Sequence, residues 1–326
     1  MTFSRRYFIA GLGAMSCARR EPSTVTVVAR PYLEMASLFL ADEGGYFAEE
    51  GLRIQVRGAE SSRISVPMLA AGEADVAGLG PNSSLFNAIL RGARLRIVAG
   101  RHTYSSACTE TRRFYGSQKS FPHGFTDLRQ MKGKRVAFVG IAASLGKFIG
   151  ATALRQSGLT PADVKLSDLD DKKISTALLL SGDLDVVLPA AEFELGATTF
   201  RDRVVEGPPI ASIIPDFMDS FFVFGKRLLD GPSSTGVRFL RAYFRAARDY
   251  KAGKSPAKFF AELARNGMDA QKLQSRCRDG FLTDGRVQIP DLQRFADWCV
   301  QEQFIESALD ARSLVDLRFL SEARLA

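Results

Sequence analysis

The chain has 326 residues, 46% of them hydrophobic and 25% charged, a globular composition rather than a disordered or fibrous one. That length exceeds what one hydrophobic core usually fills, so two lobes are expected. The net charge of +8 raises the question of a nucleic-acid partner. Basic and acidic residues alternate along the chain, however, and the densest basic stripe (Arg238, Arg241, Arg245, Arg248) has the steps of one solvated helix face.

The chain opens on an address. Ser4, Arg5, Arg6, Tyr7, Phe8 and Ile9 form a twin-arginine pattern, and the apolar run over 7–15 is too short to cross a bilayer. It ends in Ala14, Met15, Ser16 and Cys17, which resembles the lipobox of bacterial lipoproteins and implies acylation of Cys17. The alternative is a cut elsewhere that releases a soluble protein. Residues 1–23 are read as signal and polar tether, and the mature protein is expected to be periplasmic or at the cell surface, lipid-anchored.

From Thr24 the pattern alternates. Residues 24–28 are a β-branched strand, and Ala36, Phe39, Leu40 and Phe47 follow as a helix face that stops near Gly44, Gly45 and Gly51. Leu52, Ile54 and Val56 mark a half-buried strand. Ile64 and Met68 begin a helix that ends at Gly72; residues 74–79 form a strand; Asn82, Ser83 and Ser84 open a helix; residues 95–99 are a further strand. The same grammar returns with a strand over 135–139, a helix that Ser144 can cap, a short strand over 165–169, a helix through Ile174 and Leu178, and a strand over 184–188. Strands alternating with helices of this length predict parallel sheet and the α/β class. Phe221, Phe222, Val223 and Phe224 make an apolar run, and helices follow over 236–250, 256–264 and 290–304.

The four cysteines, Cys17, Cys108, Cys277 and Cys299, fit no zinc or iron–sulfur spacing. Apart from Cys17 they leave an odd count, and buried packing is the expected role of each. Two histidines, His102 and His123, are too few for most metal or acid–base sets, and His102 is expected beside the hinge in a structural hydrogen bond. No serine-hydrolase elbow, zinc-protease helix or phosphate-binding loop is present in the sequence. No cofactor or metal is expected, and the protein is read as a non-enzyme.

The order of the short motifs carries a resemblance. Residues 41–52 (Gly45, Tyr46, Phe47 through Glu50, Gly51, Leu52), the two strand openings Gly72 to Val76 and Gly182 to Val186, and Asp127, Leu128 with Lys132, Gly133, Lys134, Arg135 and Val136 are its first parts. Asp284, Gly285, Arg286, Val287 and Leu314, Val315, Asp316 with Phe319 and Leu320 complete it. Together they resemble the ABC-transporter periplasmic solute-binding proteins of the thiamine-pyrimidine, alkanesulfonate, taurine and nitrate type. The resemblance implies a two-lobed type 2 periplasmic-binding fold with a two-strand hinge. It implies lobe 1 over 24–105, lobe 2 over 106–214, and completion of lobe 1 with C-terminal helices over 215–326. The function it implies is delivery of a small organic molecule to an ABC permease and its ATPase, by a monomer without a nucleic-acid partner. The alternatives are an exported enzyme and a ligand sensor on the same fold. The Cys and His cluster of the self-consuming eukaryotic relatives has no counterpart here.

Ligands of open α/β sheets sit beyond the carboxyl ends of strands, near helix N-termini. Four loops qualify: 30–32, 80–84, 140–144 and 189–192. The ligand-binding candidates are Tyr32, Asn82, Ser83, Ser84, Ala143, Ser144, Glu192 and Asp219. Hydroxyls and N–H groups at 82–84 and 143–144 suit a sulfonate-like anion; Tyr32 with Glu192 suits a pyrimidine or other aromatic ring. Lys147 follows Ser144 by one turn and marks either an anionic ligand or a salt bridge.

Overall fold

The computed structural model describes residues 22–29, 32–59, 62–108, 112–140, 144–189, 202–266 and 268–325. The twin-arginine pattern, Cys17, Ala143 and Glu192 lie outside them.

The first half of the chain runs β1 (Ser23–Val28), α1 (Ala36–Glu43), α2 (Tyr46–Glu49), β2 (Leu52–Arg57), α3 (Ser62–Ala71), β3 (Val76–Leu79), α4 (Ser83–Leu90) and β4 (Arg96–Thr103). The chain then crosses over and builds β5 (Arg113–Ser117), β6 (Arg135–Phe138), α5 (Leu145–Gln156), β7 (Lys165–Ser167), α6 (Lys172–Ser181), β8 (Val186–Leu188) and β9 (Val204–Pro209). It returns through β10 (Met218–Phe224), followed by α7 (Lys226–Asp230), α8 (Ser233–Lys251), α9 (Ala257–Arg265), α10 (Ala270–Gln274), α11 (Ile289–Gln301) and α12 (Arg318–Leu325).

Two five-stranded sheets result, ordered β2-β1-β3-β10-β4 and β7-β6-β8-β5-β9. Three strands of each are parallel, as the alternation predicts. The sheets are nonetheless mixed, because β10 runs antiparallel to β3 and β4, and β5 antiparallel to β8 and β9. The reason is connectivity: β5 and β10 are the strands by which the chain enters each sheet from the other. The two crossovers lie side by side, with the Tyr104 N–H donating to the Phe217 carbonyl and the Asp216 N–H to that of Tyr104.

The two Gly-x-x-Asp-Val motifs do the same work in each sheet. Gly72 and Gly182 take left-handed φ values of 77° and 79°, ending α3 and α6 in a turn that suits glycine. Three residues on, an aspartate locks the next strand. Asp75 exchanges two bonds with Thr26, its N–H donating to the carbonyl and its Oδ2 accepting the Thr26 N–H at 2.8 Å. Asp185 repeats this with Arg135, its Oδ2 accepting that N–H at 2.8 Å. Arg227 pairs with Asp75 and Arg135 with Asp185.

One face of the first sheet packs on α1, α8, α9 and α12 through Val27, Phe222, Phe224, Phe239 and Tyr243. A second apolar core runs from the other face of that sheet into the second. Helix α11 is its wedge: Phe295 meets Phe86 of α4 at 5.6 Å and Phe148 of α5 at 5.5 Å, while Phe148 also meets Trp298 and Phe217. The open edge of β4 is covered by the segment after α10, where Gly100, Thr103 and Leu282 N–H groups bond to Gly285, Gly280 and Arg101 carbonyls.

Two sequence expectations need correction. Cys108 and Cys277 form a disulfide across 169 residues, joining the first crossover to the segment that covers β4. Only Cys299 among the described residues is a free, buried thiol. The basic stripe on α8 is a seam rather than a solvated face: Arg238 donates to the Glu50 carbonyl, Arg241 pairs with Glu50 and Arg245 with Glu49. Among the described residues no helix is long and apolar enough to cross a membrane.

Candidate ligand-binding site

Two of the four candidate loops come together. Asn82 and Ser144, from the loops after β3 and β6, form an isolated antiparallel β-bridge, so the starts of α4 and α5 meet between the lobes. Asn82 is buried and caps α4, its Oδ1 accepting the Leu85 N–H at 2.9 Å while its Nδ2 donates to the Gly80 carbonyl. Ser83 and Ser84 are half-buried in the first turn of that helix. Ser144 holds the N-cap position of α5 in extended backbone, yet its hydroxyl makes no capping bond and is buried without a partner among the described residues. The expected cap is therefore absent.

The floor is tight. A Cβ on Gly80 would stand 2.7 Å from the Asp219 carbonyl of β10, so glycine there lets the end of β3 pack close on its neighbour in the same sheet. Tyr32 is half-buried at the start of the turn into α1, its carbonyl accepting the Met35 N–H. Lys147 pairs with Asp168, the salt-bridge alternative.

Three polar residues that the loops did not reveal stand on or beside the first crossover. Arg112 donates from Nε to the Pro189 carbonyl at 3.0 Å and from Nη1 to the Tyr104 hydroxyl at 3.0 Å. It thus fastens the end of β8 to the first crossover. Burial holds the Tyr104 phenol far above its usual range, with Arg112 opposing. His102 Nδ1 lies 2.8 Å from Asp219 Oδ1, and its Nε2 side faces the Gly280 backbone, where an added Cβ would approach to 2.5 Å. Phe281 stands edge-on to the ring at 5.0 Å. Asp219 is thus buried and paired rather than solvated, and His102 is a structural link between β4 and β10.

That link titrates. Burial disfavours the imidazolium, but the charge and hydrogen bond of Asp219 outweigh it, so the His102 pKa is raised. A raised folded pKa stabilises fully below the unfolded value of about 6.5 and is lost as pH rises through the folded value. Asp219→Asn is therefore expected to lower the melting temperature most near pH 6, with the gap to the native protein closing toward pH 9. A gap that is constant with pH would refute the charged pair.

A family described as NMT1/THI5 like matches residues 33–253, more than half of the chain. The chain belongs to the NMT1/THI5-like family. None of the curated proteins compared with it gives a significant match. Among solved structures, this member of the family resembles the periplasmic aliphatic sulphonate binding protein SsuA from Escherichia coli, with TM-score 0.72, 16% identity, and coverage of 90% of this chain and 92% of that one. It also resembles the ligand-binding component of an ABC-type import system from Staphylococcus aureus, with TM-score 0.70, 12% identity, and coverage of 92% and 99%. The desulfurization enzyme DSZB has TM-score 0.64, 16% identity, and coverage of 93% and 99%. At these identities the likeness is one of fold, and it is the two-lobed α/β fold of periplasmic-binding proteins.

Proposed function

We propose that this protein is the solute-binding component of an ABC importer, shutting two lobes on a small organic molecule and presenting it to a permease with its ATPase. The observation that carries this reading is the meeting of the α4 and α5 starts through Asn82 and Ser144, with the Ser144 hydroxyl buried and unused. Helix starts supply N–H groups suited to an anion, which favours a sulfonate-like guest; a pyrimidine or aromatic ring held by Tyr32 and Glu192 is the second class. Asn82, Ser83, Ser84, Ala143, Ser144 and Asp219 complete the proposed site. The lobe boundaries at 105 and 214, the Cys17 anchor, the monomer and the periplasmic or cell-surface location belong to the same proposal. A disulfide between Cys108 and Cys277 fits an oxidising compartment.

The same fold carries an enzyme in DSZB, so catalysis is the rival. Cys299 offers little to it: burial pushes its thiol up to about 12, where the nucleophilic thiolate is scarce. His102 holds its Nδ1 on Asp219 with its Nε2 beside the Gly280 backbone.

A melting-temperature screen of short alkanesulfonates, pyrimidines and aromatic amines tests the reading. Binding at a hundredfold excess over Kd stabilises by about 2.7 kcal/mol, and Ser144→Ala is expected to weaken the responding ligand by about tenfold, the worth of one charge-assisted hydrogen bond. No shift with any class would end the transport reading. A shift unaffected by Ser144→Ala would remove that residue from the site.

A further inference from the structure

Arg112 stands immediately before β5, which runs antiparallel to β8, itself parallel to β6. The residue therefore lies beyond the carboxyl ends of β6 and β8, where open α/β sheets take their ligands. Two of the candidate loops flank it. Nε and Nη2 both donate to the carbonyl of Pro189, the first residue of the loop after β8. A Cβ on Gly146, in the first turn of α5, would come 3.6 Å from Nη2, so the guanidinium lies against that helix start. On the first crossover, the Tyr104 hydroxyl accepts from Nη1 at 3.0 Å.

These neighbours fix the guanidinium without neutralising it. A carbonyl and a phenol carry no full negative charge, and no carboxylate pairs with Arg112 among the described residues. The start of α5 adds the positive end of the helix dipole, which opposes a cation. Arg112 is nonetheless half-buried and cannot shed its proton. Of the five N–H donors of a guanidinium, the bonds to Pro189 and Tyr104 use three, which leaves one on Nη1 and one on Nη2. Ser144, the N-cap residue of the same helix, adds a buried hydroxyl without a partner among the described residues. The unused groups at this end of the second sheet are donors, and what they lack is an acceptor with charge.

We propose that Arg112 is the residue by which the cleft selects its guest, its two spare N–H groups taking a singly charged oxyanion headgroup. The assignment rests on the solute-binding reading and sharpens it: the guest is chosen by charge, and its headgroup sits between Pro189 and the start of α5. Two N–H groups in one plane suit two oxygens of one anion. Tyr104 and the Pro189 carbonyl are positioning groups that set that plane.

Butanesulfonate and its uncharged analogue butanesulfonamide are the probes, each titrated calorimetrically into the native protein. Arg112→Gln should weaken the sulfonate by about 30-fold, as expected for hydrogen bonds to a charged group, and the sulfonamide by less than about threefold. Arg112→Lys, which keeps the charge and loses the planar fork, should recover part of the sulfonate affinity. Tyr104→Phe should lower the preference for the sulfonate with little change for the sulfonamide. If Arg112→Gln does not fold, crystals of the native protein with bromopropanesulfonate, its bromine placed by anomalous scattering, should show sulfonate oxygens within about 3.2 Å of the Arg112 Nη atoms. Equal losses for the two probes, a native protein that binds only uncharged compounds, or a sulfonate seated away from Arg112 would overturn the assignment and leave the clamp standing. No binding of these probes or of the pyrimidines and amines would overturn both.

Discussion

Asp185→Ala is expected to lower the unfolding free energy by about 3 kcal/mol, the lower part of the range for breaking a buried ion pair, since Arg135 is partly exposed. The carboxylate accepts the Arg135 N–H at 2.8 Å, the Arg135 Nη2 at 2.7 Å and the Ser120 hydroxyl. Its side chain is 10% exposed against 40% for Arg135. Burial alone would raise its pKa; the bonds from Arg135 and Ser120 overcome that and hold it well below the usual carboxylate range. A depressed folded pKa contributes stability above the unfolded value of about 3.9, lost as pH falls toward the folded value. Urea titration should show a lower midpoint at unchanged slope at pH 7, with the difference from the native protein shrinking below pH 4. Asp168→Ala, at a carboxylate 87% exposed, should cost under about 0.5 kcal/mol. Equal losses at the two positions would refute the role given to the motif.

Removing the disulfide has the second largest expected effect. Cys108→Ser with Cys277→Ser should cost about 2–4 kcal/mol, since the bridge closes a long loop of the unfolded chain. A reductant should lower the melting temperature of the native protein and leave the double variant unmoved. Identical responses to reductant would mean that the thiols are unpaired in solution.

Much of the fold was legible because its local chemistry agrees with its tertiary role. The β-branched run of β1, the glycine stops of α3 and α6, and the faces of α4 and α5 fall where periodicity puts them. β5 and β9 escaped detection for physical reasons. β9 carries Gly207, Pro208 and Pro209, which argue against a strand in general. They are tolerated because β9 is the edge of its sheet, where missing N–H groups break few ladders. The disulfide was hidden by a separation of 169 residues, and no local pattern links a crossover to a C-terminal turn. At the site, Asn82 was readable as a cap. Arg112 and Tyr104 were not, because the Arg112 bonds to the Pro189 carbonyl and the Tyr104 hydroxyl follow no local pattern. The aspartates of the two repeated motifs proved to be strand locks, so a motif that signals the family does so through folding rather than through contact with a guest.

The aromatic wedge of α11 has an energetic side. Parting the lobes would wet the faces that Phe148, Phe295 and Trp298 now present to one another, at about 25 cal/mol for each Å² exposed. Any motion that separates α5 from α11 therefore carries a cost set by that ring stack. Under the proposed clamp reading, thinning that ring stack would ease opening without altering a residue proposed to touch the cargo.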